Sequence, residues 1–206
     1  MTAAVETTAD LRKLSLFGTP LAVQVMPEAA ALNAALRPAL SALLTAAPRE
    51  PGEASRSAFE LEGPAAEALA AILERAIALA EAMAGSATSA WSPDVVLEVL
   101  SPGQGVAIGS APEVAWCARY VLDDGGSSAQ RDFGARFEAQ DPRGVGPVMY
   151  APHLTIADPA GPTLGISQTV GLKSGAILVY PGWLLHGVEP YSGPEAFVSL
   201  LLQLRR

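Results

Sequence analysis

The chain holds two histidines, His153 and His186, in 206 residues, and any imidazole chemistry must come from these two. A tightly held catalytic metal needs about three ligands converging on one ion, with open positions left for substrate. His153, five residues before Asp158 in Ala151-Pro-His-Leu-Thr-Ile-Ala-Asp158, could build such a site with His186, joined by Asp158 or Glu113. The ordinary reading of His153 is a surface or loop histidine. His186 stands in Trp183-Leu-Leu-His186-Gly187, where it is either a ligand, an acid or base, or a polar filler of a pocket. Trp183 and Tyr191 flank it and read first as core and rim packing. Cys117, the single cysteine, reads as a small core residue; facing His186 it would form a thiolate–imidazole pair. Arg119 is the unexpected charge in the apolar run 116–122, and if inward it offers a cation to an anionic ligand.

Other patterns carry less chemistry. Asp123-Asp124 before Gly125-Gly126 is a tight-turn signature before it is a catalytic dyad. Asp141-Pro-Arg143 reads as a loop brace, Arg143 pairing a neighbouring acid or presenting a cation to a ligand. Gly103-Gln-Gly105 is a turn, and no P-loop, dinucleotide fingerprint, nucleophile elbow or zinc-ligand spacing is found. One cysteine permits no intramolecular disulfide.

These residues must be positioned by a globular chain, since 50% of residues are hydrophobic and 17% charged. A net charge of −8 and a pI near 4.7 argue against nucleic-acid or anionic-membrane partners, which need a basic surface. Residues 1–12 carry Glu6 and Asp10 and lack an apolar core, so no signal peptide is expected. The apolar run 29–47 is broken by Asn33, Arg37 and Pro38 and reads as no membrane span. The expectation is a cytoplasmic protein.

The length suits one domain over 1–206, with two halves of different character. Residues 1–90 are alanine-rich. After a polar tail, 16–26 reads as a strand; Pro27 and Glu28 open a helix with Leu32, Leu36, Leu40 and Leu43 at helical spacing. A charged loop over 48–57 precedes a second helix over 64–84, stopped by Gly85. From Val95 the period changes: apolar runs over 95–100, 105–108, 114–122, 136–139, 164–170, 176–180 and 197–204 alternate with Gly, Pro and Asp turns. Short strands with such punctuation predict a mostly β jelly roll over 91–206, a double-stranded β-helix of cupin-like type buttressed by N-terminal helices. The run Ser174-Gly-Ala-Ile-Leu-Val-Tyr-Pro-Gly-Trp-Leu-Leu-His186 then delivers the histidine from a strand, a turn and a second short strand.

Across residues 16–204 the chain resembles the bacterial 2-oxoglutarate/Fe(II)-dependent oxygenases. The resemblance rests on Phe17, Thr19-Pro20 and Leu32-Asn33 in the N-terminal part, and on Pro112, Trp116, Tyr120 and Asp123-Asp-Gly-Gly126 in the centre. In the C-terminal part it rests on Asp141-Pro-Arg143, Pro147, Met149-Tyr-Ala-Pro152, Ser167-Gln-Thr169, Gly175, Pro181, Trp183-Leu-Leu-His186 and Pro190-Tyr191. It implies an iron site of a His-x-His/Asp pair and a distal histidine, with a basic residue on the last strand for the far carboxylate of 2-oxoglutarate. Here the first pair matches Gly109 and Ala111, neither of which can coordinate; the distal histidine matches His186; and the cosubstrate arginine matches Phe197. No histidine precedes His153, so no shift of alignment restores the first ligand.

The expected function is therefore that of a degenerate oxygenase-like protein, a pseudoenzyme without cofactor whose barrel binds a small molecule or a protein. Trp116, Trp183 and Phe197 would close an apolar pocket there, with Arg119 and Tyr191 beside it. Two alternatives stand beside this. One is an active dioxygenase with Fe(II) and 2-oxoglutarate on a site rebuilt around His186 and His153. The other is a metal-free isomerase or cyclase with His186 as acid or base. Sheet edges make a homodimer the expected assembly.

Overall fold

A computed structural model describes residues 11–16, 18–46, 55–57, 60–84, 90–127, 131–142 and 167–206. His153, Asp158, Arg143, Gly85 and the motif residues between 143 and 166 lie outside them. The elements run β1 (Leu11–Leu16), β2 (Thr19–Val25), α1 (Ala29–Ala46), β3 (Ser55–Ser57), α2 (Gly63–Ala84), β4 (Ser92–Leu100), β5 (Val106–Gly109), β6 (Trp116–Asp124), β7 (Phe137–Ala139), β8 (Gln168–Val170), β9 (Ala176–Pro181), β10 (His186–Val188) and β11 (Phe197–Arg205). Every run expected as strand contributes one. Two edge strands were not expected: β1 falls in the polar tail and β3 in the charged loop.

The strands form two antiparallel sheets, ordered β1-β2-β9-β6-β11-β4-β3 and β5-β10-β7-β8. They share one apolar interior: Leu178, Tyr180, Val121 and Phe197 from the larger sheet meet Phe137, Ala139 and Val188 from the smaller. The outer face of the larger sheet carries a second core against both helices. Strand alternation assigns the faces, so on β6 Trp116, Ala118, Tyr120 and Leu122 turn to the helices while Cys117 and Val121 turn inward. The result is a double-stranded β-helix with a helical buttress.

The helices fit because their buried faces are narrow or small. α1 buries Leu32, Leu36 and Leu40, each contributing roughly 1.5–3 kcal/mol. α2 buries Ala65, Ala68, Ala76 and Ala80 around Ile72 and Leu79, which lets its backbone approach the sheet closely. Pro38 is tolerated inside α1 because both it and Ala34, whose carbonyl it deprives of a donor, are exposed to water.

A bulge fixes how α1 docks. The β6–β11 pairing shifts between Val198 and Ser199, leaving Leu122 as an extra residue on β6. Freed from the ladder, the Leu122 carbonyl accepts from Asn33 Nδ2 at 3.2 Å, Arg37 Nη2 at 3.3 Å and Ser174 Oγ at 2.8 Å. Asn33 is itself buried; it donates to Ser174 Oγ at 2.9 Å and accepts from the Tyr120 hydroxyl at 2.5 Å. Every polar end of this buried amide has a partner, as burial demands.

Candidate functional site

His186 opens β10 after a turn whose geometry depends on one glycine. A Cβ on Gly182 would lie 2.1 Å from the Val114 carbonyl oxygen and 2.6 Å from that of Ala111, so no other residue fits without moving backbone. The close approach lets Ala111 N–H donate to Gly182 O at 2.8 Å and Gly182 N–H to Ala115 O at 3.2 Å. It thus ties the 111–115 turn to the segment that delivers the histidine. β10 then lies between β5 and β7, with His186 directly opposite Gly109 on one side and Ala139 on the other.

The imidazole is held in one orientation. His186 Nδ1 lies 2.7 Å from the Leu184 carbonyl, which can only accept, so Nδ1 carries the proton and Nε2 is left as the basic nitrogen. The ring stacks on Phe137 with centroids 5.6 Å apart and meets Tyr180 edge-on at 4.6 Å; Phe137 and Tyr180 lie 4.6 Å from one another. Burial in this aromatic box pushes the imidazole pKa down, and the Leu184 bond opposes the shift only in part. At neutral pH His186 is therefore a neutral base.

A charged group within electrostatic reach of the ring spans three neighbouring strands. Arg119 on β6 is 2% exposed and Glu98 on β4 is 5% exposed. Arg119 Nη1 pairs with Glu98 Oε2 and donates to Ser199 Oγ on β11 at 2.8 Å, while Ser199 Oγ donates to Glu98 Oε2 at 3.3 Å. The Tyr180 hydroxyl is raised well above its ordinary pKa by burial, against the opposing pull of Arg119. The Cys117 thiol is pushed up to about 12, chiefly by burial, so it is an inert core thiol and no nucleophile.

The structure gathers the expected residues only in part. Arg119 is inward, as an anion-binding role requires, but its charge is met by Glu98. Trp116 packs on the helix-side core because it shares the strand face of Ala118 and Tyr120, opposite to Cys117. Phe197 is buried inside the barrel against Tyr191, centroids 6.0 Å apart. It pairs with Leu100 and Asp124, at the other end of β11 from the Leu204–Trp116 pair. Trp183 is 52% exposed on the turn before His186, with Leu185 and Ile108 also exposed. Trp116, Trp183 and Phe197 therefore do not meet around one cavity.

Four residues of the site were not singled out from the sequence: Glu98, Ser199, Phe137 and Tyr180. Glu98 carried a usable signal, as a lone acid inside the apolar run 95–100 that complements Arg119 in its own run. Two grooves among the described residues lie elsewhere. One, of about 460 Å³, runs between β2 and α2 beside Arg75 and Gln24; the other, of about 320 Å³, is lined by Arg37, Asp123 and Glu195.

The described residues by themselves do not assemble a site for an iron ion with 2-oxoglutarate. His186 is the one imidazole among the described residues, and it faces Gly109, which has no side chain. No cluster of three His, Cys, Asp or Glu side chains suited to a metal occurs among the described residues. The only buried cation among them, Arg119, already holds a carboxylate.

No protein-family profile matches the chain, and no curated protein matches it. Solved structures do. A prolyl-4-hydroxylase from Pseudomonas putida has a TM-score of 0.61 at 13% identity, over 90% of this chain and 92% of its own. An oxidoreductase of the 2OG-Fe(II) oxygenase family from Burkholderia pseudomallei has a TM-score of 0.51 at 13% identity, covering 86% and 89%. HygX from Streptomyces hygroscopicus, solved with nickel and 2-oxoglutarate, has a TM-score of 0.54 at 15% identity, covering 91% and 82%. At such identities the likeness speaks for the fold: the chain has the double-stranded β-helix of the 2-oxoglutarate/Fe(II) oxygenases.

Proposed function

We propose that this protein keeps the oxygenase barrel without the oxygenase reaction and uses it as a binding module for a small molecule or a protein partner. The observation that carries the reading is the pairing of His186 with Gly109. The strand position facing the imidazole, where a second ligand would stand, is a glycine with nothing within 4 Å of where its Cβ would be. Affinity for a transition metal comes from several ligands acting on one ion, and one imidazole does not supply it. The apolar mouth supports the binding role, since Trp183, Leu185 and Ile108 are exposed around the turn and strand next to His186. No helix among the described residues is long and apolar enough to cross a membrane.

The test is anaerobic loading of the purified protein with Fe(II), measurement of bound metal, and calorimetric titration with 2-oxoglutarate. The expected result is no retained iron and no heat of binding. Stoichiometric iron together with saturable 2-oxoglutarate binding would overturn the reading and restore an active dioxygenase whose site includes His153.

A further inference from the structure

We propose that the barrel interior contains a carboxylate-binding site, made by Arg119 and Ser199, whose occupant is the chain's own Glu98. Three observations converge on it. Arg119 is buried on β6, between β9 and β11, so water does not screen its charge. Both donors aim at one atom, Glu98 Oε2, as donors around a bound carboxylate do. The fit is incomplete: Arg119 Nε is buried without an aligned acceptor, and with the Tyr180 hydroxyl as its other polar neighbour the guanidinium fork is only partly filled by the tethered carboxylate.

A lone buried guanidinium is strongly unfavourable, whereas a buried pair is tolerated at a cost that apolar residues would avoid. Arg119 therefore demands an anion. The tether supplies it at very high effective concentration, so a dissolved carboxylate cannot compete while Glu98 is present. In the intact protein Glu98 thereby keeps small acids off the guanidinium. Remove the Glu98 side chain and the same site should accept a small monocarboxylate such as acetate or formate, which matches the lost group in charge and size. This inference does not depend on whether metal binds.

The experiment uses the full-length Glu98→Ala variant, with its thermal midpoint followed in acetate, formate and chloride at matched ionic strength. Mass action predicts a midpoint that climbs with the logarithm of acetate concentration, by several degrees over chloride. The wild type and Glu98→Ala/Arg119→Met should show no such preference. Absence of any acetate-specific rise in Glu98→Ala, or an equal rise in the double variant, would overturn the proposal. If Glu98→Ala is recovered only unfolded, its refolding yield in acetate against chloride reads the same property. A yield restored by acetate supports the site, and equal yields refute it.

Discussion

His186 and Gly109 are direct cross-strand partners on β10 and β5, and the glycine's missing side chain leaves open space facing the imidazole. A side chain added at position 109 would therefore meet no steric obstacle beside His186. Neighbouring Ala111 is partly buried at the barrel's edge and tied through its N–H to Gly182, so its position is fixed as well.

Installing ligands should create metal affinity. Gly109→His with Ala111→Asp places an imidazole and a carboxylate beside His186 without displacing any heavy atom at position 109. Calorimetric titration with Ni(II) is expected to show one-site binding in the double variant and none in the wild type. Equal binding by both proteins would mean that ligands other than these govern the site.

His186 should make the fold acid-sensitive. Its folded pKa lies below the ordinary 6.5, so between the two values the unfolded chain binds more protons than the folded one. Stability from this group is complete above pH 6.5 and is lost as pH falls below it, with a slope of up to about 1.4 kcal/mol per pH unit. Thermal midpoints of wild type and His186→Gln, followed from neutral pH downward, should converge as the pH falls. Parallel curves would show that the imidazole titrates alike in the folded and unfolded chains.

Cys117 should stay silent towards thiol reagents. A buried thiol raised to about 12 has almost no thiolate at pH 8, and strands cover it on both sides. Labelling is expected only at the rate of unfolding and to become complete in denaturant. Fast labelling of the native protein would place the thiol in an accessible and more polar setting.

The amide that docks α1 should be costly to lose. Asn33→Leu leaves the buried Tyr120 hydroxyl without its acceptor and weakens the satisfaction of the Leu122 carbonyl, a loss of about 1–3 kcal/mol. Tyr120→Phe in the same chain should recover part of that, because the orphaned hydroxyl is gone. Denaturant midpoints of the two single variants and the double variant measure the coupling, and strict additivity would show that the two groups do not interact.

Much of the architecture was legible in the chain. Short apolar runs between Gly, Pro and Asp turns are read directly as strands, and leucines at three- and four-residue spacing as α1, because both patterns follow from local geometry. The strand–turn–strand run to His186 was legible for the same reason. β1 and β3 were not, since a short edge strand with polar residues has no burial pattern to reveal it and forms only because β2 or β4 offers an edge.

The sequence by itself determined that two imidazoles were all the chain had, that Arg119 was out of place in an apolar strand, and that helices would precede a β barrel. Only the tertiary structure decided who meets whom. The expectation that Trp116 and Arg119 share one pocket failed because the two lie on opposite faces of β6, and only the fold shows which face is the interior. Pairing Arg119 with Glu98, 21 residues away, and with Ser199, 80 away, required β4, β6 and β11 to become neighbours. The same holds for His186 and Gly109: register between distant strands comes from closure of the whole sheet around its apolar core, a collective property that no local pattern contains.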